Sequence, residues 1–136
     1  MSVQLKQNNN TIKLNNGASI HQNGLGTWRS VGENDGYNAV IAALKAGYRH
    51  IDTAAIYGNE GQVGKAINDS GVPREEIFVT TKLWSTQQQE PEVALDESLK
   101  RLGLDYVDLY LMHWPVPMNL ASMPKGEKLG FPLLPN

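Results

Sequence analysis

Three ionisable residues, Asp52, Lys82 and His113, recur at intervals of about 30 residues, the length of one βα unit, and Tyr57 follows Asp52 by a few positions. Their types suit one task, the delivery of a proton to a small carbonyl compound. A free phenol ionises near pH ~10, so it donates poorly at neutral pH unless a cation stabilises the phenolate. Lys82 is the expected cation. In a partly dry cleft a lysine tends to lose its proton, and the Asp52 carboxylate opposes that loss. The imidazole of His113 can donate a hydrogen bond to a carbonyl oxygen as negative charge builds there. Trp28, Trp84 and Trp114 each stand at or just after the end of a predicted strand and would wall such a cleft with apolar surface.

Such a site needs strands that end at one rim. The polar, Asn-rich residues 1–10 precede a hairpin pattern, with Thr11 to Leu14 and Ala18 to Ile20 flanking Asn15-Asn16-Gly17. An αβ rhythm follows. Val40, Ala43 and Leu44 share a helical face that stops at Gly47, before the strand Tyr48 to Asp52. Val63, Ala66 and Ile67 form a second face, with Asn59 and Gln62 as a capping pair and Gly71 as the stop, before the strand Ile77 to Lys82. Leu95, Leu99 and Leu102 form a third, ending at Gly103, before the strand Tyr106 to His113. One period upstream, Asn23 to Trp28 is expected as the first parallel strand. Four parallel strands and three helices make about half of a (β/α)8 barrel, which is an α/β fold of ~250 residues. Residues 11–113 are therefore expected to form an N-terminal half-barrel, with 114–136 a proline-rich loop.

The motifs Gly47-Tyr48-Arg49-His50-Ile51-Asp52-Thr53-Ala54, Tyr57-Gly58-Asn59-Glu60, Thr81-Lys82-Leu83-Trp84 and Leu109-Tyr110-Leu111-Met112-His113-Trp114-Pro115 resemble the aldo-keto reductase family. The likeness runs from about Ile12 to Pro117, and in wording it resembles the family's fungal NADP-dependent glycerol dehydrogenase and carbonyl reductase members. It implies a TIM barrel that reduces aldehydes or ketones with NADPH. Tyr57 would be the general acid, Lys82 and Asp52 would tune it, and His113 would orient the carbonyl. Gly26, Thr27 and Trp28 resemble the family's first loop beside the cofactor, which Asp52 also approaches. Trp28, Trp84, His113 and Trp114 would line the substrate pocket, and no metal is implied. The family's later cofactor-holding motifs do not occur in these 136 residues. The chain alone is thus expected to bind NADPH weakly, and alternative readings are a catalytically inactive fragment or a half-barrel that self-associates through exposed strand edges.

Composition narrows the field further. With 12 Lys+Arg against 14 Asp+Glu, a net charge of -2 and no Cys, the chain has no disulfide, no thiolate ligand and little attraction for nucleic acid. Its apolar runs are shorter than the ~20 residues of a membrane span, and a cytoplasmic location is expected. Taken singly, Asp52 reads as a helix cap, Lys82 as a solvated strand-end charge and Tyr57 as loop packing; it is their joint register that favours chemistry. His50 and His21 read as packing or local hydrogen bonding. Gly58, Gly61 and Gly64 lack the phosphate-loop spacing, and Gly24-Leu25-Gly26 has Arg29 where a third small residue belongs.

Overall fold

The computed structural model describes residues 10–30 and 32–118. The polar segment before residue 10, and the proline-rich stretch after residue 118, lie outside the described residues. Strands β1 (Thr11–Lys13) and β2 (Ser19–His21) form the expected antiparallel hairpin. At its turn the Asn16 side chain accepts a hydrogen bond from the Ala18 amide at 3.0 Å.

The remaining strands are β3 (Leu25–Gly26), β4 (His50–Asp52), β5 (Phe78–Leu83) and β6 (Leu109–Met112). They form one parallel sheet in the order β3-β4-β5-β6. The crossovers are helices α1 (Asp35–Lys45), α2 (Glu60–Asp69) and α3 (Pro91–Leu102). Each strand lies beside its successor, the order of staves in a barrel. Val40 and Leu44 of α1 and Val63 and Ile67 of α2 pack on Ile51 and Val79 of the sheet. Central β5 buries both of its faces, and its sequence accordingly lacks the polar alternation of a half-exposed strand. Among the described residues β3 and β6 are the edges of the sheet, and no helix is long and apolar enough to cross a membrane.

Strand level is fixed at the end away from the reactive groups. Asp108 accepts from the Val79 amide at 2.8 Å and from the Arg74 guanidinium at 2.8 Å, while Arg74 also donates to the Tyr106 carbonyl and lies over the Tyr106 ring. This clamp ties β5 to the chain entering β6.

The ladders are shorter than the sequence pattern predicts. Tyr48 donates its amide to Ala43 and so completes the end of α1 instead of starting β4. On α3 the buried line is Ala94, Ser98 and Leu102, while Leu95 and Leu99 are half-buried. Small residues at 94 and 98 let this helix approach its neighbours closely, which rotates the buried face away from the leucine stripe.

The capping expectation is corrected too. Neither Asn59 nor Gln62 caps α2 with its side chain. Gln62 reaches across to α1, where its Oε1 accepts from the amides of Gly36 at 2.9 Å and Tyr37 at 3.3 Å. Its Nε2 donates to the Gly32 carbonyl at 3.2 Å. The unsatisfied amides at the start of α1 are thus served by another helix. Gln62→Ala is expected to lower stability by about 1 kcal/mol, the usual loss for a helix cap, measured by urea unfolding.

Candidate functional site

The rim at the C-terminal ends of the parallel strands brings the four expected residues together. In the β4–β5 register Asp52 faces Thr80, so Lys82 stands one inward-facing position higher. Its side chain reaches back. The Lys82 ammonium donates to Asp52 Oδ1 at 2.6 Å, to the Thr53 carbonyl at 2.9 Å and to the Tyr57 hydroxyl at 3.4 Å. An ammonium has three protons, and here each has an acceptor. Because the Tyr57 oxygen accepts from Lys82, the phenol keeps its own proton available for another acceptor. The lysine side chain is only 13 % exposed and the Asp52 side chain 33 %, so water screens their attraction incompletely.

Tyr57 ends a short 3-10 turn, Ala55–Tyr57, closed by Gly58 in the left-handed region at φ 69°. Its ring lies 4.8 Å from that of Trp28 and, edge to face, 5.6 Å from that of His113. These three residues and Trp114 line an open cavity of about 250 Å³. Trp84 stands behind that wall, buried, 5.4 Å from the His113 ring and 5.3 Å from the Trp114 ring. Gln88 donates to the Trp114 carbonyl at 2.7 Å and ties that loop to the one after β5.

Burial lowers the His113 pKa below its ordinary 6.5, and the Lys82 charge lowers it further against the opposing pull of Asp52. The ring is therefore neutral at pH ~7 and offers one N–H. His50 is lowered as well, chiefly by burial, and it stays within the sheet, 3.1 Å from the Thr80 hydroxyl and edge-on to Phe78. Both shifts have one sign. Below pH ~6.5 the unfolded chain binds protons that the folded chain resists, so these groups withdraw stability as pH falls through that value. Melting temperature is expected to fall between about pH 7.5 and pH 5.5, with a shallower slope in His50→Gln.

The first-loop residues take different places. Gly26 pairs in register with Asp52, and nothing lies within 4 Å of the position where its side chain would begin. Trp28 is 41 % exposed at the cavity rim. Arg29 takes left-handed backbone at φ 66° and turns the chain away behind it. Thr27 is fully buried, its hydroxyl 3.2 Å from the Asp52 carbonyl and 3.4 Å from Asn59 Oδ1. Its side chain braces the site from below.

Sequence reasoning missed the residue that joins these loops. Asn59 donates to the carbonyls of Thr27 at 2.8 Å and Ser30 at 3.3 Å, and its Oδ1 accepts from the Thr53 hydroxyl at 3.2 Å. The chain after β3 and the chain after β4 are thereby held together. Asn just before a helix reads as a cap, and no local pattern separates that from a long-range tie. Among the described residues no group of three or more His, Cys, Asp or Glu is placed to hold a metal ion.

The model of the "Aldo/keto reductase family" matches residues 22–121, and the chain belongs to that family. It is 66 % identical over 134 residues to an aldehyde reductase of Saccharomyces cerevisiae, covering 98 % of this chain and 43 % of that protein. A glycerol 2-dehydrogenase (NADP(+)) of the same yeast is 66 % identical over 132 residues, covering 97 % of this chain and 42 % of the relative. Among solved structures, an aldo/keto reductase from Brucella melitensis aligns with TM-score 0.78 at 54 % identity, over 84 % of this chain and 44 % of that one. A Bombyx mori aldo-keto reductase in complex with NADP aligns with TM-score 0.78 at 45 % identity, over 88 % and 43 %. The chain thus spans less than half the length of these relatives, and its sheet and helices make up part of the (β/α)8 barrel.

Proposed function

We propose that this chain carries the proton-donating side of an NADPH-dependent reductase that converts small aldehydes or ketones into alcohols. The observation that carries the reading is the Lys82 ammonium, bonded to Asp52, the Thr53 carbonyl and Tyr57 together. A carbonyl compound enters between Trp28 and Trp114, whose rings exclude water from one side of the cavity. His113, neutral, donates its N–H to the carbonyl oxygen and orients it. The Tyr57 phenol gives its proton to that oxygen as a C–H bond forms at the carbonyl carbon. The resulting phenolate is held by Lys82 and regains a proton from solvent, while Asp52 keeps Lys82 charged.

The residues present fit the nicotinamide end of the cofactor: the position at Gly26 is open, the Asp52 carboxylate paired in register with it is 33 % exposed, and the Trp28 ring stands 4.8 Å from that of Tyr57. NADPH, when bound, supplies the hydride. Gly26, Trp28 and Asp52 would meet it directly, and Thr27 would hold the floor beneath. The yeast dehydrogenase named for NADP(+) and the silkworm reductase complexed with NADP support this choice of cofactor. The test is NADPH oxidation by the protein at its full natural length against a panel of small aldehydes and ketones. Turnover that depends on the carbonyl substrate is expected, and no oxidation with any member of the panel would contradict the reading.

A second reading rests on β6, an edge strand among the described residues, where Leu111 is 39 % and Met112 60 % exposed. Apolar residues on an unpaired edge favour self-association, and sedimentation of this chain reports it as mass that rises with concentration.

A further inference from the structure

The proton-donating site does not use the most deeply buried carboxylate among the described residues. Glu60, the first residue of α2, is 1 % exposed. It accepts from the Thr81 hydroxyl at 2.6 Å and from Arg101 Nε at 2.7 Å, and Arg101 in turn donates to the Ser98 hydroxyl at 3.0 Å. A carboxylate taken out of water is costly unless its oxygens are paired, so both contacts are obligatory for this packing.

Their placement has a bearing on chemistry. Thr81 immediately precedes Lys82, and alternation along β5 sends the two side chains to opposite faces of the sheet, Thr81 to the helices and Lys82 to the rim. Glu60 lies three residues after Tyr57, on the turn that carries Tyr57 into α2. One bond behind the sheet therefore ties the segment bearing the phenol to the segment bearing the ammonium. In front of the sheet the same two segments meet at the Lys82–Tyr57 contact, whose 3.4 Å is long for a hydrogen bond and so is sensitive to small displacements.

We infer that Glu60 and Thr81 are positioning residues that set the approach of Lys82 to Tyr57 from behind the sheet. This rests on the proposed role of Tyr57 and Lys82, but its geometry can be tested without turnover. The measurement is the 13Cζ resonance of Tyr57 in the protein at its full natural length, assigned by its absence from Tyr57→Phe. Thr81→Val removes the hydroxyl and keeps the branched shape; Thr81→Ser keeps the hydroxyl. The resonance is expected to move in Thr81→Val and to stay in place in Thr81→Ser. With a carbonyl substrate, Thr81→Val should lower kcat by about ten- to a hundredfold with KM within about twofold, and Thr81→Ser should restore it. Glu60→Gln, which keeps an acceptor but loses the charge paired with Arg101, is expected to move the resonance in the same direction.

An unmoved resonance in folded Thr81→Val and Glu60→Gln would overturn the inference. So would failure of both variants to fold beside a native Thr81→Ser, because the pair would then serve stability alone. If the resonance moves but the wild-type protein reduces no carbonyl, the positioning stands and the reductase reading falls.

Discussion

Replacing Tyr57 by Phe is expected to lower the rate of carbonyl reduction by about a hundred- to ten-thousandfold, the range lost when a positioned general acid is removed. The substitution deletes one oxygen. The ring contacts with Trp28 and His113 remain, so the cavity keeps its wall and the substrate KM should change little. A loss confined to kcat is the signature of an interaction made in the transition state. Steady-state kinetics with a small aldehyde decides it. A fall in affinity with kcat intact would make Tyr57 a packing residue, the ordinary reading of a tyrosine in a loop.

The largest stability loss is expected at Gly64, where α2 meets α3. A side-chain carbon built there would lie 1.7 Å from the Leu102 carbonyl oxygen and 2.5 Å from its carbonyl carbon, both backbone atoms that no rotamer change can move. The helices would have to separate. Gly64→Ala is expected to cost about 3 kcal/mol, the upper part of the range for overpacking, read as a lowered midpoint of urea unfolding. One turn earlier on the same helix, Gly61 has its nearest such neighbour, the Arg101 carbonyl, at 3.7 Å, which is ordinary contact. Gly61→Ala should therefore be neutral or stabilising by up to about 1 kcal/mol, through helix propensity alone. Equal losses at the two positions would show that backbone approach is not what requires glycine at 64.

The architecture was legible because three helical stripes alternate with apolar strands at nearly constant period, and only a parallel sheet with crossover helices accommodates that rhythm. Three of the rim residues were legible for the same reason: the period that spaces the strands also spaces Asp52, Lys82 and His113, while Tyr57 was placed by its nearness to Asp52 and by the family motif. Long-range polar ties left no such trace. Gln62 has the sequence position of a capping residue for its own helix and serves α1 instead. Asn59 precedes a helix like any cap, yet spends its amide on the carbonyls of Thr27 and Ser30. Glu60 looks like a favourable first-turn acid, and its burial against Thr81 and Arg101 depends on how three elements meet. Periodicity reports which face is apolar. It does not report which partner a polar side chain finds across a gap of more than 20 residues, and the loops of this site are joined by such partners.

The gap between the leucine stripe of α3 and its buried line has the same origin. Hydrophobicity points to Leu95 and Leu99, whereas Ala94 and Ser98 are buried because small side chains let the helix come close. Close approach is a property of two surfaces, and one sequence window contains only one of them.

Whether Tyr57 and Lys82 act as one proton-delivery unit is decided by a double-mutant cycle. Single-turnover rates of NADPH-dependent aldehyde reduction would be measured for the wild type, Tyr57→Phe, Lys82→Met and the double variant. If the ammonium works through the phenol, the double variant loses no more than about as much as Tyr57→Phe alone. Losses that multiply, each variant adding its full effect to the other's, would show two independent contributions and rule out a single proton-delivery unit.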